Sequence, residues 1–328
     1  FPGGTSTGQF GTGHTVTVNS GAEVQFGANW VTGGGLVNQI VANGGTIRFL
    51  NSDNYAGNIV LTGGNIIASG SSGRAWRTGN WGDGLITTNA SSTTSTISGT
   101  LCLVGTDSAT KTTFDVADGS VATDLLVSSV ISDHPGFENE MVLVKTGAGR
   151  MSLTGNSTWG GGILLSQGTL FLDTVSKTPA GTGPLVLGDA ATGANDIRLE
   201  IAPSTSWGPN SILSNPITVS SQAGGKVTIA HLAGTALAGE LRGLITLQNE
   251  DLVFRNENND RLSIASKITG TGNVTFEGSA GRITLSNTGH DFIGDVTLAP
   301  GGNVQLQGPA IPAGADLTVN GGLWYNNL

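Results

Sequence analysis

Residues 143–172 read Leu-Val-Lys-Thr-Gly-Ala-Gly-Arg-Met-Ser-Leu-Thr-Gly-Asn-Ser-Thr-Trp-Gly-Gly-Gly-Ile-Leu-Leu-Ser-Gln-Gly-Thr-Leu-Phe-Leu and contain three short alternating segments. Apolar residues lie two apart in each segment, at Met151 and Leu153, Ile163 and Leu165, and Leu170 and Leu172. Side chains two apart point to the same face of a β-strand. Because glycines and small polar residues separate the segments, the stretch predicts three short strands joined by turns.

The same order of residues occurs twice more in the chain. Each repeat copy has an apolar pair, an aromatic residue, a glycine, a second apolar pair, another glycine and an apolar residue. The copies are Ile47, Phe49, Tyr55, Gly57, Ile59, Leu61, Gly64 and Ile66; Met151, Leu153, Trp159, Gly161, Ile163, Leu165, Gly168 and Leu170; and Ile283, Leu285, Phe292, Gly294, Val296, Leu298, Gly301 and Val304. Spacing is identical in the first two copies, so we predict a repeat protein.

Short apolar pairs beside turn residues continue between the copies. Sandwiches, propellers and barrels favour two-residue hairpin turns and longer strands, which this pattern lacks. The sequence therefore predicts an all-β fold, a right-handed parallel β-helix (β-solenoid) with short strands and Gly-rich turns. We expect a single domain over residues 1–328, with loop insertions near 70–95 and 132–140.

Composition excludes several classes of protein. The 53 glycines lack the strict period of collagen, and 37% hydrophobic residues with 11% charged residues disfavour disorder. A net charge of −9 with 14 basic residues argues against a nucleic-acid partner and against anionic membrane surfaces. A single cysteine, Cys102, excludes an internal disulfide framework and a cysteine-based metal site. No apolar run is long enough to insert this segment into a membrane.

The stretch that defines the repeat also has a family likeness. Lys145-Thr146-Gly147-Ala148-Gly149, then Met151 to Gly161, closed by Gly168-Thr169-Leu170, resembles the passenger-associated repeat of bacterial autotransporters. Trp159 stands where the family usually has Tyr, and Gly162 replaces a Thr. The resemblance implies a β-solenoid displayed outside a bacterial cell, often as a stalk or adhesin, and it carries over no catalytic residues.

One cluster departs from the repeat pattern. Within residues 74–84, two Trp, two Arg and an Asp form the densest group of binding-type side chains in the chain. They are Arg74, Trp76, Arg77, Trp81 and Asp83. Two interpretations stand about equal: contact with a partner or glycan, and a loop that covers one face of the solenoid.

The aromatic residues of the repeat copies are a second group to consider. Tyr55, Trp159 and Phe292 precede the corner glycines Gly57, Gly161 and Gly294. Packing over the turn is favoured over sugar stacking because the position is fixed relative to the glycine.

The sequence gives little indication of a metal site or a catalytic site. The run at 250–261 offers oxygen ligands suitable for Ca²⁺, but a solvated turn is favoured because its arginines balance its acids. The four histidines have no metal-ligand spacing. Paired aspartates of polysaccharide-degrading β-helix enzymes are missing, so we predict no catalytic residues, no cofactor and no metal.

The chain ends suggest association. Neither end shows a polar capping helix, so an open coil is expected to stack on another chain or to continue a longer parent rod. The residues predicted for end-to-end stacking are Val16, Val18, Leu317, Val319, Leu323 and Trp324. The sequence begins at Phe1 without Met, which fits a cleaved export signal or a segment boundary.

These observations together predict a function. We expect a non-catalytic extracellular or cell-surface protein, a β-solenoid stalk, adhesin or head-to-tail filament subunit. Self-association, glycans and a host or cell surface are the expected partners. The alternative is a carbohydrate-binding or polysaccharide-degrading β-helix protein.

Overall fold

A computed structural model describes most of the chain in two compact units. The described residues are 14–27, 37–50, 54–55, 58–69, 76–78, 83–103, 110–133, 141–175, 177–202, 211–220, 224–233, 238–278 and 281–326. The first unit contains Phe1–Leu164 and Thr178–Gly183, and the second contains Leu165–Lys177 and Pro184–Leu328. Every secondary-structure element in the described residues is a β-strand. The single domain expected over 1–328 stays a prediction.

The first unit is built from short strands, the last of which contains the unit boundary. They are β1 (His14–Asn19), β2 (Glu23–Phe26), β3 (Val37–Asn43), β4 (Thr46–Phe49), β5 (Asn54–Tyr55), β6 (Asn58–Thr62), β7 (Asn65–Ala68), β8 (Trp76–Thr78), β9 (Gly84–Thr88), β10 (Ser95–Leu103), β11 (Lys111–Val116), β12 (Leu125–Val127), β13 (Val130–Asp133), β14 (Val142–Thr146), β15 (Arg150–Leu153) and β16 (Ile163–Leu165).

The second unit has the same construction. Its strands are β17 (Gly168–Leu172), β18 (Leu185–Leu187), β19 (Ile197–Ile201), β20 (Ser211–Leu213), β21 (Ile217–Val219), β22 (Val227–His231), β23 (Gly239–Leu241), β24 (Ile245–Gln248), β25 (Leu252–Asn256), β26 (Arg261–Ile264), β27 (Ile268–Thr271), β28 (Val274–Gly278), β29 (Arg282–Leu285), β30 (Val296–Leu298), β31 (Asn303–Gln307), β32 (Leu317–Val319) and β33 (Gly322–Asn326).

Each unit has three parallel sheets, and the chain visits them in turn. In the first unit the first sheet runs β1-β3-β6-β9-β11-β14 and the second runs β2-β4-β7-β10-β12-β15. Its third sheet joins β5, β8, β13 and the end of β10. In the second unit the corresponding orders are β18-β21-β24-β27, β17-β19-β22-β25-β28-β30-β32 and β20-β23-β26-β29-β31-β33. The predicted parallel β-solenoid is confirmed.

The core is formed by the inward side chains of strands in which buried apolar residues alternate with outward residues. In β30 and β19, for example, apolar residues with exposures of 1% or less alternate with outward Thr297 and Arg198. Equivalent residues of successive coils stack on each other, as in the ring pairs Phe26–Phe49 at 5.2 Å and Phe254–Phe276 at 5.7 Å. Such stacked pairs add about 0.5–1.5 kcal/mol beyond the burial of their area.

A glycine allows one strand to serve two sheets. The first half of β10 pairs with β7 and β12, and its end pairs with β8 and β13. Gly99 lies at the bend with φ of 90°, where a Cβ would stand 1.8 Å from the carbonyl oxygen of Ala68. Only glycine fits such a position.

The third repeat copy differs from the other two in the sheets it occupies. Its pairs form β29 and β30, so it begins on the third sheet and continues on the second. The first copy begins on the second sheet with β4 and continues on the first sheet with β6, and the second copy follows the same order with β15 and β16. The number of residues between successive strands is similar around the coil. The sequence pattern therefore does not indicate on which sheet a copy begins.

Candidate functional site

The structure describes part of the cluster at 74–84. Trp76 and Arg77 belong to β8, whose backbone pairs with β5 and β10, and the predicted loop insertion near 70–95 contains both β8 and β9. Arg74 and Trp81 lie outside the described residues, as do the side chains of Trp76 and Arg77. Contact of these residues with a partner or glycan stays a prediction.

Asp83 has a structural role within that cluster. Its Oδ1 accepts the backbone N–H groups of Thr110 and Lys111 at 3.1 and 3.2 Å. Its Oδ2 lies 3.7 Å from the Lys111 ammonium. The carboxylate therefore fixes the start of β11. Of the insertion predicted near 132–140, Ser132 and Asp133 belong to β13, and residues 134–140 lie outside the described residues.

Trp159 is a core residue in the first unit. Its side chain is fully buried, and Nε1 donates to the carbonyl oxygen of Gly162 at 3.3 Å. The next coil packs on it closely, since a Cβ at Gly181 would stand 2.2 Å from its carbonyl oxygen. Trp159 has no surface on which to stack a sugar.

The other repeat positions lie close to neighbouring coils where the structure describes them. A Cβ at Gly161 would stand 2.1 Å from the carbonyl oxygen of Met141, and one at Gly294 would stand 2.2 Å from that of Gly272. Phe292 is 4% exposed. Gly57 and the side chain of Tyr55 lie outside the described residues.

The solvated turn predicted at 250–261 is wrong for its two central amides. Asn256 and Asn258 are fully buried. Asn256 donates to the carbonyl oxygens of Asp260 and Arg282 at 3.0 and 3.1 Å, and its own oxygen lies 3.2 Å from Nδ1 of buried His231. Asn258 donates to the carbonyl oxygen of Leu232 at 3.2 Å and accepts the N–H of Asp260 at 3.0 Å, so both amides are used in hydrogen bonds within and between coils.

Successive strands of the second sheet in the second unit are each preceded by a polar residue. These four residues, which we call the corner ladder, are Asp251, Asn273, Asp295 and Asp316. Each of the first three accepts the backbone N–H of the next through a side-chain oxygen, at 2.7, 2.8 and 3.1 Å. The rungs are 22, 22 and 21 residues apart. That spacing is visible in the sequence, although the repeat pattern alone did not single it out.

Charges on the outer face of the same sheet are balanced. Arg198 contacts Glu200 and Glu257 at 2.7 and 2.9 Å, and the network continues through further pairs. Its remaining pairs are Arg255–Glu257, Arg255–Glu277 and Lys226–Glu277. Three cations and three carboxylates alternate, so this face offers no strong charge of one sign to a partner.

The terminal coil, β32 with β33, contains five of the ten large hydrophobic side chains that are exposed among the described residues. Leu317 and Val319 are 38% and 44% exposed, whereas their partners one coil earlier, Val296 and Leu298, are 1% and 0% exposed. In β33, the side chains that continue the inward columns of Val304 and Leu306 are Leu323 and Tyr325, at 36% and 62%. This coil presents core-type side chains to solvent.

The remaining end residues behave differently. Trp324 is 64% exposed but pairs with Gln305, so it lies on the outward column of the third sheet. Val18 is 4% exposed and Val16 is half-buried. Tyr325 was not among the predicted stacking residues, although it lies two positions after Leu323 and therefore on the same face.

Lys145 is a buried cation in the first unit. It lies on the inward side of β14, and its ammonium donates to the carbonyl oxygens of Thr146 and Gly147 at 2.8 and 2.7 Å. Burial lowers its pKa from 10.5 to about 7, although Asp115 and Asp124 favour the charged form.

Neither a metal centre in the described residues nor a related protein is identified. The described part of the chain has no group of three His, Cys, Asp or Glu side chains placed to hold a metal ion. Among those same residues no helix is long and apolar enough to cross a membrane. Comparisons with protein-family models, curated proteins and solved structures found no match.

Proposed function

We propose that this chain is a non-catalytic structural β-solenoid of the cell exterior, a stalk or adhesin or a head-to-tail filament subunit. The observation that carries the proposal is the parallel stacking of coils, in which equivalent apolar side chains of successive strands form buried columns. Leu317, Val319, Leu323 and Tyr325 continue columns that are buried in the preceding coil, and they are exposed by 36–62%. Apolar columns of this kind are stabilised by a further coil.

The backbone of the terminal coil supports the same role. Parallel strands that bear unpaired N–H and C=O groups can pair with another strand. In the corner ladder, Asp295 accepts a hydrogen bond from the backbone N–H of Asp316. The Asp316 carboxylate can receive a backbone N–H of an added coil in the same way. An added coil would thus gain both core contacts and polar contacts.

A location outside the cell is supported by the resemblance of residues 145–170 to the passenger-associated repeat. Stiff repetitive backbone pairing also suits a stalk, because each coil is held by its two neighbours. The buried aromatic, the corner glycines and the ladder all serve coil packing, which is the role that a structural repeat requires.

The filament form is tested by electron microscopy and sedimentation velocity over a range of concentrations. We expect particles that lengthen with concentration, and a double variant, Val319→Lys with Leu323→Lys, that stays short. Charges placed on the inward columns would have to be buried by an added coil, at high cost. Leu244→Lys is the matched control, because Leu244 is 46% exposed elsewhere in the second unit.

Circular dichroism of each variant establishes that the fold is retained. Monodisperse short particles of the unaltered chain at every concentration would contradict the filament form and leave the stalk or adhesin. If Leu244→Lys shortened the particles as much as the double variant does, the terminal coil would not be the contact between subunits.

A further inference from the structure

Two asparagines in the sequence are directly followed by glycine. They lie in the stretches Ala42-Asn43-Gly44-Gly45 and Val319-Asn320-Gly321-Gly322. Both asparagines are exposed, and the glycine after each is half-buried. An asparagine before glycine loses its side-chain amide readily, because glycine has no Cβ that hinders attack of its backbone nitrogen on the carboxamide. Local sequence and exposure do not distinguish the two sites, so any difference in reactivity comes from the backbone around them.

The backbone around Asn43 holds the attacking nitrogen in a hydrogen bond. Asn43 ends β3 and pairs with Asn19 on one side and with Thr62 on the other. The N–H of Gly44 donates to the carbonyl oxygen of Thr62 at 3.0 Å. Attack by this nitrogen requires that the hydrogen bond be broken first, which is unfavourable. The fold therefore protects Asn43.

The backbone around Asn320 leaves the equivalent nitrogen available. Asn320 and Gly321 are the only residues between β32 and β33. The N–H of Asn320 donates to the carbonyl oxygen of Leu298 at 2.9 Å, and that of Gly322 donates to the carbonyl oxygen of Gly302 at 2.8 Å. Between these two bonds, the N–H of Gly321 has no acceptor among the residues that the structure describes. Its attack does not require the loss of a hydrogen bond.

We propose that Asn320 is a site of spontaneous deamidation. The deprotonated nitrogen of Gly321 attacks Cγ of Asn320, so a new C–N bond forms and the bond from Cγ to Nδ2 breaks. Nδ2 leaves as ammonia and takes up the proton that Gly321 has lost. Water then opens the five-membered imide at either carbonyl carbon and yields aspartate or isoaspartate. No electrons are transferred, and water is the only reagent.

Isoaspartate at this position lengthens the corner between β32 and β33. The main chain then runs through the former side-chain carbons, which adds about 1.5 Å to its path. Because the bonds from the N–H groups of Asn320 and Gly322 hold both ends of this two-residue corner, we expect the added length to weaken the pairing of β33 with β31. The proposal does not depend on self-association, since all these bonds lie within one chain.

Peptide mapping by mass spectrometry tests the proposal on the full chain incubated at mildly alkaline pH. Conversion at Asn43 and at Asn320 is followed over time in the folded chain and in the chain unfolded by guanidinium. The two sites should convert at similar rates in the unfolded chain. In the folded chain Asn320 should convert at least about tenfold faster, because the hydrogen bond of Gly44 opposes attack at Asn43. Two folded-state rates that differ no more than the unfolded-state rates would overturn the proposal, as would an Asn320 that stays intact.

Two variants separate the reaction from its consequence. Asn320→Gln should abolish conversion at this position and leave that at Asn43 unchanged, because attack on the longer side chain would form a six-membered ring. Freshly purified Asn320→Asp carries the charge of the product without the longer main chain. After incubation, the unaltered chain should therefore unfold at a lower guanidinium concentration than Asn320→Asp. Equal midpoints would overturn the weakening of the corner.

Discussion

Replacing Lys145 with Met removes a buried amine from the core of the first unit. The unaltered side chain gains two hydrogen bonds to carbonyl oxygens, at 2.8 and 2.7 Å, but its ammonium is fully buried. Burial therefore lowers its pKa to about 7 in the folded chain, against 10.5 for a solvated lysine. The charged form is the one that folding disfavours.

The sign of the pH dependence follows from proton binding. Between about pH 7 and about pH 10.5 the unfolded chain keeps a proton that folded Lys145 has released, so stability rises with pH at about 1.36 kcal/mol per unit. From about pH 7 to about pH 10 this contributes on the order of 4 kcal/mol. Below about pH 7 both states carry the proton and the full penalty remains. Lys145→Met has no such contribution.

Guanidinium unfolding followed by circular dichroism at about pH 6, about pH 8 and about pH 10 measures the effect. The stability of Lys145→Met minus that of the unaltered chain should fall by on the order of 4 kcal/mol across this range. Lys111→Met is the control, since the Lys111 side chain is 52% exposed on the adjacent strand β11. A difference that stays constant within about 0.5 kcal/mol for Lys145→Met would refute the reasoning.

Two further substitutions test the packing of coils. Gly155→Ala places a Cβ 1.9 Å from the carbonyl oxygen of Ser129, so we expect a loss of about 3 kcal/mol in chemical unfolding, whereas Gly27→Ala, with 3.9 Å to its nearest neighbour, should lose less than about 1 kcal/mol. Equal losses would show that close contact is not the cause. Asn256→Ala removes bonds to Asp260 and Arg282 and should lower the thermal midpoint by several degrees, equivalent to about 3 kcal/mol. An unchanged midpoint would contradict the role of the buried amide.

Apolar pairs two residues apart predict most of the strands. Met151 and Leu153 lie in β15, and Ile163 and Leu165 lie in β16, because a strand with one buried face needs little beyond alternation. The sheet on which a copy begins could not be predicted in this way. The third copy, starting at Ile283, keeps the order of residues with two one-residue insertions but begins on the third sheet, since corners of similar length separate any two sheets.

Residues of the candidate site were predicted unevenly. Leu317, Val319 and Leu323 follow from apolar alternation, and they continue the buried columns of Val296, Leu298 and Val304. The pattern missed the buried amide of Asn256, because its role rests on a bond to the carbonyl oxygen of Arg282, which lies 26 residues away in the sequence. Lys145 lies two residues after buried Leu143, which places it inward, but a lysine is ordinarily expected in solvent.

The corner ladder has a consequence for how such a chain can change over evolutionary time. Its rungs recur every 22, 22 and 21 residues, and each meets only the rungs beside it. Duplication or loss of one whole rung-to-rung segment leaves every remaining carboxylate or amide facing a backbone N–H. A gain of residues within such a segment has to be accommodated at a corner of the coil, as between Asp196 and Lys226, where the same contact spans 30 residues. The gene can therefore lengthen or shorten this unit in steps of one coil.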